Sequence, residues 1–154
     1  MFNDLARKLE REGRLVRQKA GFVQIEVLLR EALVDLQEAG KTQPVSSRAT
    51  YMLAYMAMLK AGRALLLLEG YRPDDGAQHK TVIETTHALL GRQYAAIVNH
   101  FEIMRRKRNE MTYEAGVMLS KAETDKAFAD AVSLVKHILE MVKKNNPQME
   151  LKFK

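Results

Sequence analysis

The stretch from Ser46 to Glu69 is apolar nearly all round, and this limits the possible folds more than any other feature of the chain. Residues 51–59 and 64–68 hold only Ala, Leu, Met and Tyr. A helix with this pattern has no polar face for water, so other elements must enclose it. Lys60 and Arg63 interrupt the run, which predicts the central helix of a folded core and not a membrane span. Ser46 or Ser47 can cap its start, and Gly70 and Pro73 follow in the order that stops a helix. Lys60 and Arg63 must each find partners or reach an edge of the bundle. Pairing with the acidic residues of the preceding segment (Glu26, Glu31, Asp35, Glu38) is the first expectation, and anion binding is the second.

The flanking segments read as the helices that surround it. A basic amphipathic segment runs from about Asn3 to Gln18, broken at Gly13. A second runs from Phe22 to Glu38, with Phe22, Ile25, Leu29, Ala32 and Leu36 stepping by three and four and Gly40 as its stop. Lys41 to Val45 is a loop, and Tyr71 to Gln78 is a polar turn containing Asp74-Asp75-Gly76. A short fourth helix spans about His79 to Leu90, and a fifth spans about Gln93 to Met111. Ser120 and Glu123 form a capping box that opens the last helix, whose stripe is Phe128, Ala131, Val135, Ile138 and Val142. No stretch alternates apolar and polar residues. The reading is therefore all-α: one antiparallel up-and-down bundle of five to six helices over residues 1–154. Its core covers about 20–144, and a short basic tail covers 145–154.

Charge and composition narrow the function classes. The chain carries a net charge of +6 and no Cys. Disulfides, thiolate metal sites and Cys nucleophiles are excluded, and a reducing cytoplasm is the expected location. Asp4 and mixed charges stand where a secretory leader would be apolar. The positive excess is local, at residues 1–20, at 105–108 and after Met141. That distribution suits an anionic partner on one surface. Glu10, Glu12 and Gly13 interrupt the first basic segment, so bundle or dimer packing is expected of it and no membrane partner.

The run Arg105-Arg106-Lys107-Arg108-Asn109 closes the fifth helical pattern. Apolar residues recur at Tyr94, Ile97, Val98, Phe101 and Met104, and the next step of four lands on Arg108. A solvated charge run would lie opposite the apolar stripe. Arg108 is in line with it, so it is expected at a core edge, a groove or a partner surface, where a guanidinium needs an anion or several acceptors.

Two stretches carry a resemblance. Residues 47–51 (Ser-Arg-Ala-Thr-Tyr) lead into 54–57 (Ala-Tyr-Met-Ala), then 61–66 (Ala-Gly-Arg-Ala-Leu-Leu), then 69–73 (Glu-Gly-Tyr-Arg-Pro), with His79-Lys80 opening the next helix. Later come Arg106, Arg108-Asn109 and Tyr113. In order and spacing the chain resembles the HEPN superfamily of small all-α bundles, from about Ser46 to the end of the last helix. The resemblance implies a homodimer. It also implies a site built on an Arg, a polar neighbour and a His four to six residues after the Arg, a pair that cleaves RNA without metal in active members. Carried over, Arg108 is the Arg and Asn109 the neighbour, while the His position falls on Tyr113. Some systems pair such a protein with a small nucleotidyltransferase that modifies a Tyr near this motif, which makes Tyr113 the corresponding acceptor.

The chemistry fits those assignments unevenly. Arg108 can stabilise a phosphate through a two-pronged contact, and Asn109 can orient a ribose or phosphate oxygen. Tyr113 is a poor base near neutral pH, since a free phenol titrates near ~10. On a regular helix it lies about 140° from Arg108. Arg105, Arg106 and Lys107 read as RNA phosphate contacts or as a solvated face. Glu84-x-x-His87 is a lone metal-type pair, so no metal site is expected, and no Walker or dinucleotide turn calls for a cofactor. His79 reads as a cap or turn contact and His100 as a flank residue. The expectation is an RNA-associated HEPN-type protein of a toxin–antitoxin or stress-response system, with weak or lost ribonuclease activity. The alternative is a non-catalytic helical adaptor in which Arg108 is structural.

Overall fold

The computed structural model describes residues 1–19, 21–74 and 78–153. It is a helical bundle. Helix α1 spans Phe2–Arg11, α2 Phe22–Thr42, α3 Ser47–Leu68, α4 Gln78–Leu90, α5 Ala95–Tyr113 and α6 Lys121–Asn145. Helix α3 is the centre. Its residues Tyr51, Tyr55, Met58, Leu65 and Leu66 are fully buried, each worth about 1.5–3 kcal/mol of removed apolar surface. By length and mean hydropathy (1.3) α3 alone among the described helices could cross a membrane, and 67% of that window is enclosed by the bundle. Its apolarity is thus accounted for by its neighbours.

Helix α3 starts where the Ser46 side chain accepts from the Ala49 N–H at 3.1 Å. Helix α2 runs back along it. Thr42 meets Thr50 at 2.8 Å at one end, and Lys60 meets Asp35 at 2.8 Å and Glu31 at 3.8 Å farther along. Lys60 therefore takes the acidic partners expected of it. Asp35 Oδ2 is buried and has no hydrogen-bond partner among the described residues, so this ion pair is what offsets its charge. At α6 the capping box forms in both directions, with Glu123 N–H donating to Ser120 Oγ at 3.0 Å and Ser120 N–H to Glu123 Oε1 at 3.1 Å. Ala131, Val135, Ile138 and Val142 of its stripe are buried.

Three boundaries differ from the sequence reading. The first segment is not one interrupted helix: after α1, residues Leu15–Arg17 form strand β1, which pairs antiparallel with strand β2, Tyr71–Pro73. So the stretch after α3 is not wholly a turn; of its Asp74-Asp75-Gly76 segment, the last two residues lie outside the described ones. Three-residue strands are too short to alternate visibly, and only the distant pairing makes them strands. Leu15 joins Ala6, Leu9 and Leu66 in a small second cluster that seats α1 on α3. Second, α2 continues through Gly40 to Thr42: Gly40 keeps a helical backbone with no positive φ, and Phe128 of α6 packs near it, 3.7 Å from where a Cβ would lie. Third, the tail is not a bare extension. Met149 is buried, and Leu151 and Phe153 pack on the main core.

Helices α3 and α4 touch closely at Gly62. A Cβ there would lie 2.7 Å from Val82 Cγ1 and 2.8 Å from Thr86 Oγ1. Both neighbours are β-branched, buried and stiff about χ1. Gly62→Ala should therefore lower stability by about 1–2 kcal/mol even though Ala favours a helix. Urea unfolding measures this, and an unchanged or raised midpoint would refute the close packing.

Candidate functional site

Helix α5 carries the run of cations. Val98, Phe101, Met104 and Met111 are buried along one face, and Arg108 is half-buried between the last two. The carbonyl end of the helix is held by Arg48, which donates to Met111 O at 3.3 Å.

The four consecutive cations have four different fates. Arg105 folds back on Glu102, with contacts of 2.6, 3.0 and 3.2 Å, and keeps only 20% of its side chain exposed. Arg106 is 73% exposed and reaches the same carboxylate at 3.3 Å. Hydrogen bonds from Arg105 hold the Glu102 carboxyl below its ordinary range. Lys107 is spent on structure: it donates to Met118 O at 2.6 Å and lies 3.4 Å from Glu123, tying the loop before α6 to α5. Arg108 has no carboxylate partner among the described residues. Its one side-chain contact is a long donation, 3.4 Å, to Asn109 Oδ1. Helix α5 continues through Tyr113, which is 81% exposed, so Arg108 and Asn109 are brought together and Tyr113 points to another side.

Residues from two other helices complete the surroundings of Arg108. The Tyr55 ring meets Phe101 edge-on at 5.7 Å between centroids. Arg105 and Arg108 follow Phe101 by four and seven residues, so they extend the same face past Tyr55. The Tyr55 hydroxyl lies 2.8 Å from Nδ1 of His79, at the start of α4. That start is fixed by Arg14, whose guanidinium donates to Thr81 Oγ1 at 2.9 and 3.1 Å and to Glu84 at 3.3 Å. Arg63 of α3 adds a third guanidinium. It is exposed and has no carboxylate partner among the described residues, unlike Lys60 one turn earlier. Arg63 thus reaches the bundle edge instead of pairing with α2.

Electrostatics ties these groups together. Burial, and then the charges of Arg108, Arg63 and Arg105, press the His79 imidazole below its ordinary value of 6.5. Burial holds the Tyr55 phenol above its ordinary value, against the pull of Arg108 and Arg105. The result is a neutral imidazole beside three guanidiniums, of which Glu102 offsets only one. Sequence reasoning placed His79 at a helix start as a cap or turn contact; its ring instead reaches across to α3. The available signal was Tyr55 itself, a hydroxyl within an otherwise apolar helix that had to find a buried partner.

The remaining histidines have their own positions. His100 pairs with Asp130 of α6 at 2.7 Å, and His137 stacks on Tyr94 at 4.0 Å. Glu84 is engaged by Arg14, His87 is exposed, and among the described residues no three metal-type side chains converge. Neither a family model, a curated protein nor a solved structure matches the chain.

The depressed His79 value has a stability consequence. As pH falls, the unfolded chain takes up this proton before the folded one does. The neutral-imidazole contribution is therefore complete above ~6.5 and is lost as pH falls toward the lower folded value. Between pH ~7 and ~5 the unmodified protein should lose more stability than His79→Gln. Urea unfolding at both pH values checks this, and parallel losses would show that His79 is not shifted.

Proposed function

We propose that this chain is a HEPN-type antiparallel bundle that binds RNA through phosphate contacts at the Arg108 end of α5. The observation that carries the reading is the state of Arg108: half-buried, in line with the apolar stripe, and without a carboxylate among the described residues. A structural guanidinium in that position would be neutralised within the fold, as Arg105 is by Glu102. Arg63, whose charge also acts on His79, supports the same reading, and Arg106 offers an exposed flank. The adaptor reading draws support from Arg105 and Lys107, which are both tied up inside the chain.

The finer parts of the proposal follow the resemblance. The protein acts in the cytoplasm as a homodimer of a toxin–antitoxin or stress-response system. Its metal-independent ribonuclease activity is weak or lost, because Tyr113 stands where the motif His would be. Tyr113 is accessible to a modifying nucleotidyltransferase. Exposed Ile103 on α5 and Met118 beyond its end give a second copy apolar surface near the motif.

Fluorescence anisotropy with a short single-stranded RNA tests the binding. Affinity should fall steeply from low to high salt, with a slope of about −0.7 per phosphate contact. Arg108→Ala should weaken binding by about tenfold, or ~1.4 kcal/mol, and Lys107→Ala should leave it nearly unchanged. Absence of binding at low salt would overturn the RNA reading in favour of the adaptor. Light scattering should report a dimer at micromolar concentration, and a monomer would remove the homodimer from the proposal.

A further inference from the structure

We infer that His79 and Arg108, with Tyr55 behind them, form a subsite for a single phosphate group in which the imidazole is a fixed neutral donor and the guanidinium supplies the charge. The inference rests on reading Arg108 as an anion contact and adds the donor that works beside it.

The argument starts at Tyr55. Its ring is fully buried, and among the described residues its hydroxyl has one partner, His79 Nδ1 at 2.8 Å. A buried O–H must donate, and Nδ1 is the acceptor within reach. Nδ1 therefore holds no proton, and the proton of the neutral ring sits on Nε2. The tautomer is fixed from inside the core. Protonating Nδ1 would displace the Tyr55 hydrogen and put a fourth positive charge beside Arg63, Arg105 and Arg108, in line with the downward shift of this group.

Nε2 lies across the ring from Tyr55. The His79 side chain is half-exposed, and Nε2–H has no acceptor among the described residues. Arg108 is likewise without a carboxylate. The two groups share one deficit, an acceptor that carries negative charge. A carboxylate in a two-pronged guanidinium contact must share an oxygen with any further donor, as Glu102 Oε1 is shared by Arg105 and Arg106. A phosphate keeps further oxygens for the imidazole. A phosphate group therefore answers both donors at once. It can come from an internal phosphodiester of RNA or from a terminal or free phosphate.

Ring-nitrogen NMR on the full chain tests this with inorganic phosphate and with two short RNAs, one with a 5′-hydroxyl and one with a 5′-phosphate. At neutral pH the His79 signals should report the Nε2–H tautomer. Phosphate should shift them with saturation and leave exposed His87 unmoved. His79→Ala should weaken phosphate and RNA binding by roughly tenfold, and His79→Gln, which keeps a donor, should recover most of that loss. Equal affinity for the two RNAs assigns the subsite to an internal phosphodiester. A gain of about tenfold or more with the 5′-phosphate assigns it to a terminal one. The opposite tautomer, a ring unmoved by phosphate and by RNA, or an unaltered His79→Ala would overturn the inference. If RNA binds while His79 stays unmoved, the subsite falls and the RNA reading stands. If phosphate moves His79 while no RNA binds, the subsite stands and the RNA reading falls.

Discussion

Helix α3 has only a narrow strip to give to water, and the rest of the molecule is arranged by that fact. A helix buried over most of its circumference needs neighbours on most sides, so α2, α4, α5 and α6 pack around it and leave only a strip through Arg48, Met52, Met56, Lys60 and Arg63 half-buried or exposed. Their spacing is then set by what α3 presents. Where it presents Gly62, α4 comes within contact distance of its backbone. Where it presents Tyr55, the core contains a hydroxyl that needs a partner, and His79 of α4 is drawn to it. The central helix thus fixes both the shape of the bundle and the position of its one buried phenol–imidazole contact. Such a site stands on packed helices and not on a loop, so its geometry is held by the core.

Much of this arrangement was legible in the chain. The burial of α3, the caps at Ser46 and Ser120, the Lys60 pairing and the α6 stripe all follow from local patterns. These are contacts within one helix, or between helices whose apolar faces already match. What was not legible required distant residues to meet. Strands β1 and β2 are three residues each and exist only because they pair with one another. Where α2 continues through Gly40, it meets Phe128, far along the chain. The tail reads as polar and basic, yet Met149 is buried, and Leu151 and Phe153 lie along a seam with Leu33 and Val34 of α2 and Phe128 and Val132 of α6.

The candidate site divides the same way. Arg108 was visible because periodicity on a single helix places it in the stripe. Its surroundings were not, because Arg63, Tyr55 and His79 lie on two other helices, and their sequence neighbours say nothing about α5. A histidine at a helix start looks the same whether it caps its own helix or reaches another one. Only the depth of its hydrogen-bond partner separates the two, and depth is a property of the fold.

The four cations at 105–108 show why a charge run cannot be treated as one surface. Consecutive residues on a helix point about 100° apart, so four in a row face nearly every direction. One direction meets Glu102, and Arg105 is neutralised there. Another meets the loop before α6, and Lys107 becomes a strut. A third opens to solvent, where Arg106 is screened and contributes little by itself. Only the fourth faces a core edge that holds no carboxylate among the described residues, beside an imidazole kept neutral by burial and by the same positive charges. Net charge counts all four equally. Desolvation does not, since a half-buried and unneutralised guanidinium gains far more from an anion than an exposed one does. The weight of the run therefore rests on Arg108, and any anion that binds this end of α5 is expected to depend on Arg108 more than on its three neighbours.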